Sequence, residues 1–118
     1  MLHEQGDLRK RTFQLGRRVA KLFVALPRSR LAQIYGEQLV RSANSVGANY
    51  REACRARSKA EFICKIGDCL KEADETTYWL ELIEEEGLLG HPRLEPLLRE
   101  PDELVAILVT ISKRTRGD

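Results

Sequence analysis

The fold of this chain is decided by the stretch from Arg41 to Phe62, RSANSVGANYREACRARSKAEF. Its pattern predicts the second half of a long helix, a tight turn and the start of the next helix. The turn is marked by Ser58-Lys59-Ala60-Glu61, a capping box in which the serine accepts hydrogen bonds from first-turn amides and the glutamate reaches back. Because the connection is only a few residues long, the sequence predicts an antiparallel helix pair.

The long helix before this turn has two distinct faces when its residues are placed at about 100° per position. The face predicted to be buried carries Tyr35, Leu39, Ser42, Val46, Asn49, Tyr50 and Ala53. A different face carries Arg41, Asn44, Ala48, Arg51 and Arg55. The small side chains of Ser42, Ala43, Ser45 and Gly47 predict that a neighbouring helix approaches closely. Asn49 is predicted to contact another helix, because a buried amide needs a hydrogen-bond partner.

Helical periodicity covers most of the chain and predicts four helices, at about residues 7–25, 29–55, 59–86 and 101–113. Asp7 is the predicted N-cap of the first helix and Pro27 its predicted end. Its apolar stripe is Leu8, Thr12, Leu15, Val19, Leu22 and Leu26. The stripe of the third helix is Phe62, Ile66, Leu70 or Cys69, Ala73, Thr77, Leu80 and Ile83. Gly87 is predicted to cap the C-terminus of this third helix.

The fourth helix has two possible starts, because Pro92, Pro96 and Pro101 interrupt the pattern. One long helix from about Leu94 would kink at Pro101. A helix that begins at Pro101 fits better, since proline is favoured at the first helical position and acidic residues follow it. With short connections, these helices predict a single all-α domain over residues 1–118, an antiparallel up-down-up-down four-helix bundle.

Composition favours a cytoplasmic protein. Hydrophobic residues make up 42% of the chain and charged residues 32%. No apolar run approaches the roughly 20 residues that a membrane span needs, and no signal peptide is recognisable. The three cysteines lack a CxxC spacing, which favours free thiols in a reducing compartment.

The net charge of +2 conceals a strong polarity along the chain. Residues 1–60 hold 13 Lys/Arg and 4 Asp/Glu, whereas residues 61–118 hold 7 Lys/Arg and 14 Asp/Glu. Two readings remain open at this point. The helices of opposite charge attract each other within the fold, or the basic half contacts a polyanion or the acidic half of another subunit.

Several long motifs make the chain resemble the four-helix bundle proteins of the 23S rRNA intervening-sequence family. The central ones are Arg41-Ser42-Ala43, Ser45-Val46, Ala48-Asn49, Glu52-Ala53, Arg57-Ser58 and Glu61-Phe62. Further matches are Lys71-Glu72-Ala73, Glu75-Thr76, Tyr78-Trp79-Leu80, Leu82, Leu104-Val105 and Ile107-Leu108. The resemblance covers about residues 17 to 112. Pro101 departs from it, because relatives usually have a helix-compatible residue there.

The resemblance implies a small bacterial protein of a family whose members mostly have no assigned activity. It also implies similarity to the accessory protein of diversity-generating retroelements. That protein forms a five-fold ring of bundles and uses a basic surface with nucleic acid and a reverse transcriptase. By similarity, a homo-oligomer such as a pentamer is expected.

Catalytic and metal-binding chemistry find little support in the sequence. A di-iron bundle needs Glu-x-x-His motifs, but the only histidines, His3 and His91, lie outside the predicted helical cores. Cys64 and Cys69 do not converge on a helix, and no histidine lies near a candidate nucleophile. No glycine-rich phosphate loop is present. We therefore expect no enzyme activity, no cofactor and no metal.

Two surfaces are candidate sites. Arginines on a regular ridge are suited to contact nucleic-acid phosphates without reading bases. The candidates are Arg17, Arg18, Arg41, Arg51, Arg55 and Arg57, with Lys21 nearby. Alternatively, these arginines pair with acidic groups of the third helix. Tyr78, Trp79 and Leu82 are the candidate oligomer interface, where the sole tryptophan is either a core edge or an anchor.

The sequence therefore favours a non-enzymatic oligomeric bundle that serves as a nucleic-acid-binding scaffold, with RNA or DNA as partner. The alternative is an accessory module that recruits a partner enzyme and has no intrinsic affinity for nucleic acid.

Overall fold

The computed structural model describes the backbone of residues 2–117 and the side chains of residues 7–117. This part of the chain holds four helices and no strand, which confirms the all-α class. The helices are α1 (Leu2–Ala25), α2 (Arg30–Cys54), α3 (Lys59–Glu85) and α4 (His91–Arg116).

Helix α1 buries the predicted apolar stripe and ends, as predicted, before Pro27. The prediction that Asp7 is its N-cap is wrong, because the helix already begins at Leu2. A carboxylate near the positive end of the helix dipole is compatible with helical structure, so Asp7 does not have to mark the boundary.

Helix α2 is capped by Ser29, whose Oγ accepts a hydrogen bond from the amide of Ala32 at 3.3 Å. Its small residues let α1 come close, as predicted. A Cβ added at Gly47 would lie 3.3 Å from the carbonyl oxygen of Thr12. The prediction that the Asn49 side chain bonds to another helix is wrong. Its Nδ2 donates to the Ser45 carbonyl at 2.9 Å, one turn earlier on the same helix.

Helix α3 begins at the predicted capping box. The Ser58 Oγ accepts from the Glu61 amide at 3.0 Å, and the Glu61 carboxylate accepts from the Arg57 amide at 3.2 Å. At the other end Gly87 takes a left-handed φ of 66°. The amide of Leu88 then donates to the Ile83 carbonyl at 3.0 Å, which satisfies one of the last carbonyls of the helix.

The buried stripe of α3 differs from the prediction at two positions, namely Phe62, which is only half-buried, and Thr77. Thr76 is buried and Thr77 only half-buried. The hydroxyl of Thr76 lies 3.1 Å from the Ser42 hydroxyl on α2 and donates to the Glu72 carbonyl at 2.8 Å. These hydrogen bonds satisfy a polar group inside the core, and hydrophobic periodicity alone does not detect them.

The prediction that the fourth helix begins at Pro101 is wrong. Helix α4 runs without interruption from His91 to Arg116, through both Pro96 and Pro101. Each of these prolines removes one backbone hydrogen bond and costs about 3 kcal/mol or more in a helix interior. Continuous burial on one face outweighs this cost, since each buried leucine contributes about 1.5–3 kcal/mol. The buried residues of that face are Leu94, Leu97, Pro101, Leu104, Leu108 and Ser112.

Consecutive helices pack against each other, and α1 and α4 share the smallest interface of the packed pairs. Arg11 of α1 connects the two helices by donating two hydrogen bonds to the Glu100 carboxylate of α4, at 2.8 and 3.0 Å. The molecule measures 46 × 21 × 20 Å, so its length is close to that of one helix. Among the described residues, none of the helices is both long enough and apolar enough to span a membrane.

Candidate nucleic-acid interface

The charge polarity of the sequence is concentrated in two helices, because α1 holds six Lys/Arg and two Asp/Glu, whereas α3 holds three Lys/Arg and eight Asp/Glu. Helices α2 and α4 are each nearly balanced in charge. Some of these charges meet across helix boundaries. Arg11 of α1 pairs with Glu100 and Glu103 of α4, and Lys65 of α3 pairs with Glu52 of α2 at 2.9 Å. Part of the polarity therefore stabilises the fold.

Arg41 is one of the predicted phosphate-binding residues, and the structure places it against α3. Its guanidinium lies 3.3 Å from Glu72 and 3.1 Å from Glu75. Burial raises the pKa of Glu72, and the hydrogen bond to Glu72 together with Arg41 lowers the pKa of Glu75. For Arg41, the alternative that it pairs with the third helix is the one observed.

Arg51 turns the other way, toward α1. Its guanidinium carbon lies 5.4 Å from the centroid of the Phe13 ring, within the range of a cation–π contact. This contact holds the side chain over the α1–α2 groove without neutralising its charge. The predicted ridge is therefore divided, with Arg41 directed to one neighbouring helix and Arg51 to the other.

The other predicted arginines are exposed and carry no carboxylate partner within residues 7–117. Arg17 donates only to Gln14 on its own helix, at 3.4 Å. Arg55 occupies the C-cap of α2, and Arg57 lies in the short connection to α3. Arg18 faces away from them, into a cleft between α1 and α4. Arg17, Arg51, Arg55 and Arg57 are all exposed and are together called the basic surface below.

One basic residue was missed by reasoning from the sequence. Arg93 lines the same cleft as Arg18 and Lys21. The sequence predicts a turn for residues 91–100, and a turn does not predict the direction of the Arg93 side chain. The signal that would have found it is the apolar spacing of Leu94, Leu97 and Leu104, which continues the helix back past Pro101.

The candidate oligomer interface contains one well-exposed residue. Trp79 is half-buried and packs on Tyr35 of α2, with ring centroids 5.8 Å apart. Its Nε1 is buried and has no hydrogen-bond partner among the described residues. Leu82 is half-buried as well, whereas Tyr78 is 55% exposed and stacks edge-on against Trp79 at 5.2 Å.

Large apolar side chains are also exposed on the basic half of the molecule. Phe13 and Val24 of α1 are 51% and 83% exposed, and Leu31 and Ile34 of α2 are exposed as well. Near Val24, an apolar groove of about 320 Å³ lies between α1 and α2 and is lined by Ala20, Phe23, Val24, Glu37 and Val40. Of the four exposed apolar residues, Val24 is the one that lines this groove.

The cysteines are unpaired, and no cluster of metal-ligating residues occurs within residues 7–117. Cys64 is exposed, Cys54 is half-buried and Cys69 is buried. Burial raises the pKa of the Cys69 thiol to about 12, and its Sγ lies 3.6 Å from the Val46 carbonyl oxygen. Cys69 is therefore a core side chain with little thiolate character.

Comparison with known proteins gives a consistent family assignment. The family described as 23S rRNA-intervening sequence protein matches residues 4–110. A solved structure with a similar fold is a protein with unknown function from the S23 ribosomal protein family of Bacteroides thetaiotaomicron VPI-5482. It has 32% sequence identity and a TM-score of 0.86, and the match covers 92% of this chain and 97% of that one. No curated protein matches the sequence.

Proposed function

Because the chain belongs to the 23S rRNA-intervening sequence protein family, we propose that it is a non-enzymatic nucleic-acid-binding scaffold with RNA as its first candidate partner. The basic surface of Arg17, Arg51, Arg55 and Arg57 contacts the phosphate backbone in this proposal. The family description refers to ribosomal RNA, which favours RNA over DNA as the first probe. The proposed location is the cytoplasm, in line with three unpaired cysteines.

One observation carries this proposal: the arginines of the basic surface remain exposed and without carboxylate partners among the described residues. The fold offers carboxylates nearby, and it uses them on Arg11 and Arg41. Exposed cations without carboxylate partners attract polyanions and release condensed counterions on binding. Few exposed aromatic side chains accompany them, so contact with the backbone is favoured over stacking on bases.

The bundle topology is part of the proposal. Thr12 lies opposite Gly47, while Gly16, four residues later, lies against Asn44, so the order on α2 runs opposite to that on α1. The connections between helices contain four or five residues. Both observations support an antiparallel up-down-up-down bundle.

We propose further that copies of this bundle assemble head to tail into a closed ring, for which a pentamer is the expectation. The exposed patch around Val24 lies on the basic half of the molecule, and the exposed ring of Tyr78 lies on acidic α3. Opposite charge and exposed apolar area on two different surfaces favour a heterologous interface, which generates a ring when its rotation closes.

A second candidate function is recruitment of a protein partner without affinity for nucleic acid. The apolar groove between α1 and α2 favours it, because such a groove is suited to accept an amphipathic helix. In this case the basic surface would not be needed for binding, which would depend only weakly on salt.

The test is binding of the full chain to a mixed RNA pool at about 50 and about 200 mM salt. Four phosphate contacts, one for each arginine of the basic surface, predict a loss of roughly a hundredfold in affinity between these concentrations. A steep loss supports the scaffold. Absence of RNA binding at the lower salt concentration contradicts the scaffold, and recruitment of a protein partner is then the remaining candidate function.

A further inference from the structure

A small cleft between α1 and α4 has a charge pattern that the fold does not require. Its volume is about 260 Å³, and its lining is Arg18, Lys21, Leu22, Arg93, Pro96 and Leu97. Three of these six residues are cations and none is a carboxylate. Residues from both helices are needed to build it, so it exists only in the folded chain.

The cations of this cleft are not neutralised by nearby acids. Arg18, Lys21 and Arg93 have no carboxylate partner within residues 7–117. The carboxylates of α4 closest in sequence are already engaged, since Glu95 pairs with Arg99 and Glu100 with Arg11. Like charges that face one cleft repel each other, so an anion bound among them would be stabilised.

The rest of the lining is apolar. Leu22 and Leu97 are each only 5% exposed and form a rigid base, and Pro96 is exposed at the side. The volume lies slightly below the roughly 300 Å³ at which small-molecule pockets begin. A ligand of suitable size therefore has one anionic group and a compact less polar part.

From this arrangement we propose that the cleft binds a nucleotide phosphate. Arg18, Lys21 and Arg93 hold the phosphate oxygens, and the apolar base contacts the sugar or the nucleobase. Arginine suits this role because its planar guanidinium donates two parallel hydrogen bonds to a phosphate. The ligand is either a free nucleotide or one unit of a nucleic-acid strand, which share this chemistry.

The inference goes beyond the proposed scaffold, because phosphate binding here does not need the basic surface of Arg17, Arg51, Arg55 and Arg57. The direct test follows the backbone amide signals of the ¹⁵N-labelled full chain during titration with adenosine 5′-monophosphate. Adenosine, which lacks the phosphate, and inorganic phosphate, which lacks the nucleoside, are the matched ligands. We expect saturable shifts centred on residues 18–22 and 93–97, with a dissociation constant of roughly 1 mM or below.

Arg93→Glu is the informative variant, because an acidic residue in the first turn of α4 is favourable for the helix and should leave the fold intact. It should weaken binding about tenfold or more, equivalent to one charge-assisted contact. Lys10→Glu makes the same change in net charge on α1 outside the cleft and should leave the affinity unchanged. Equal weakening by both variants would contradict a local site.

Three results would overturn the proposal. They are the absence of shifts with adenosine 5′-monophosphate, shifts of the same size with adenosine, and inorganic phosphate that binds as tightly as the nucleotide. Competition with a short RNA identifies the source of the ligand. If the RNA displaces the mononucleotide, the natural ligand of the cleft is one unit of a nucleic-acid strand. If the mononucleotide stays bound while RNA binds elsewhere, the natural ligand is a free nucleotide. RNA binding that survives Arg93→Glu while nucleotide shifts are lost separates this site from the proposed scaffold.

Discussion

At the scale of single residues, the surroundings of a glycine decide whether an added methyl group stabilises or destabilises the fold. Gly47 of α2 faces the backbone of α1, and a Cβ there would stand 3.3 Å from the Thr12 carbonyl oxygen, which has little freedom to move. Gly67 is equally interior to its helix but exposed, with nothing within 4 Å of an added Cβ. The same substitution should therefore have opposite effects at the two sites.

We expect Gly67→Ala to raise the free energy of unfolding by about 1 kcal/mol, because alanine is the better helix former. Gly47→Ala should lower it by about 1 kcal/mol or more, since the two helices must separate. Urea denaturation followed by circular dichroism measures both. A stabilised Gly47→Ala variant would show that the contact between α1 and α2 is looser than described.

Because of Cys69, the free energy of unfolding should fall as the pH becomes alkaline. Burial raises its pKa to about 12 from the ordinary value of 9.0. In the unfolded chain the thiol ionises first, so the associated stability is fully present below pH 9 and is lost as the pH rises toward 12. The loss should be at most about 1.4 kcal/mol per pH unit.

Cys69→Ser is the matched variant, because serine has a similar shape, keeps a donor for the Val46 carbonyl and does not ionise in this range. The difference between the wild type and Cys69→Ser, measured by urea denaturation at several pH values, should shrink or reverse above pH 9. A difference that stays constant with pH would mean that Cys69 is accessible to solvent.

At the scale of helices, α1, α2 and α3 follow closely from the sequence because their ends carry local signals. Pro27, Ser29, the box from Ser58 to Glu61 and Gly87 each act within one turn of the boundary. The predicted fourth helix is too short because Pro96 and Pro101 are local helix breakers inside it. What sustains it is burial against the rest of the molecule, which a local pattern does not contain.

This account of α4 predicts the effect of removing Pro96. It is exposed, so Pro96→Ala should lose little packing and restore an amide that can donate to the carbonyl of Pro92. We expect the free energy of unfolding to rise by about 2 kcal/mol, after allowing for the greater freedom of the unfolded chain.

Pro101→Ala is the comparison, because Pro101 is buried and its ring fills part of the core. It should gain less stability than Pro96→Ala, or lose some. Thermal and urea unfolding of the two variants measure the difference. An equal gain for both would show that the ring of Pro101 contributes nothing to packing.

At the scale of the whole molecule, the candidate site was predictable only in part. The residue types were identified from the sequence, but their partners depend on which helix each side chain faces. Arg41 and Arg51 were placed on one ridge, yet one pairs with α3 and the other covers Phe13 of α1. The two residues are ten positions apart, which at about 100° per residue directs them roughly 80° apart around α2, and this is enough for them to face different neighbouring helices.

The ring proposal gives a prediction about mass. Tyr78→Ser and Val24→Ser remove exposed apolar groups from the two surfaces proposed to meet, so each variant should be monomeric by light scattering with its helicity unchanged. An equimolar mixture should regain one intact interface and form a two-chain species. If the mixture remains monomeric, or if neither variant changes the mass of the assembly, the head-to-tail interface is wrong.

The measurement that tests the central claim most directly is RNA affinity of the Arg51→Glu plus Arg55→Glu variant at about 50 mM salt. Its control, Lys71→Glu plus Lys113→Glu, changes the net charge equally at two exposed lysines outside the basic surface. A scaffold that binds through the basic surface predicts a loss of about a hundredfold for the arginine variant and little change for the control. Equal losses for the two variants, or none for either, would contradict it.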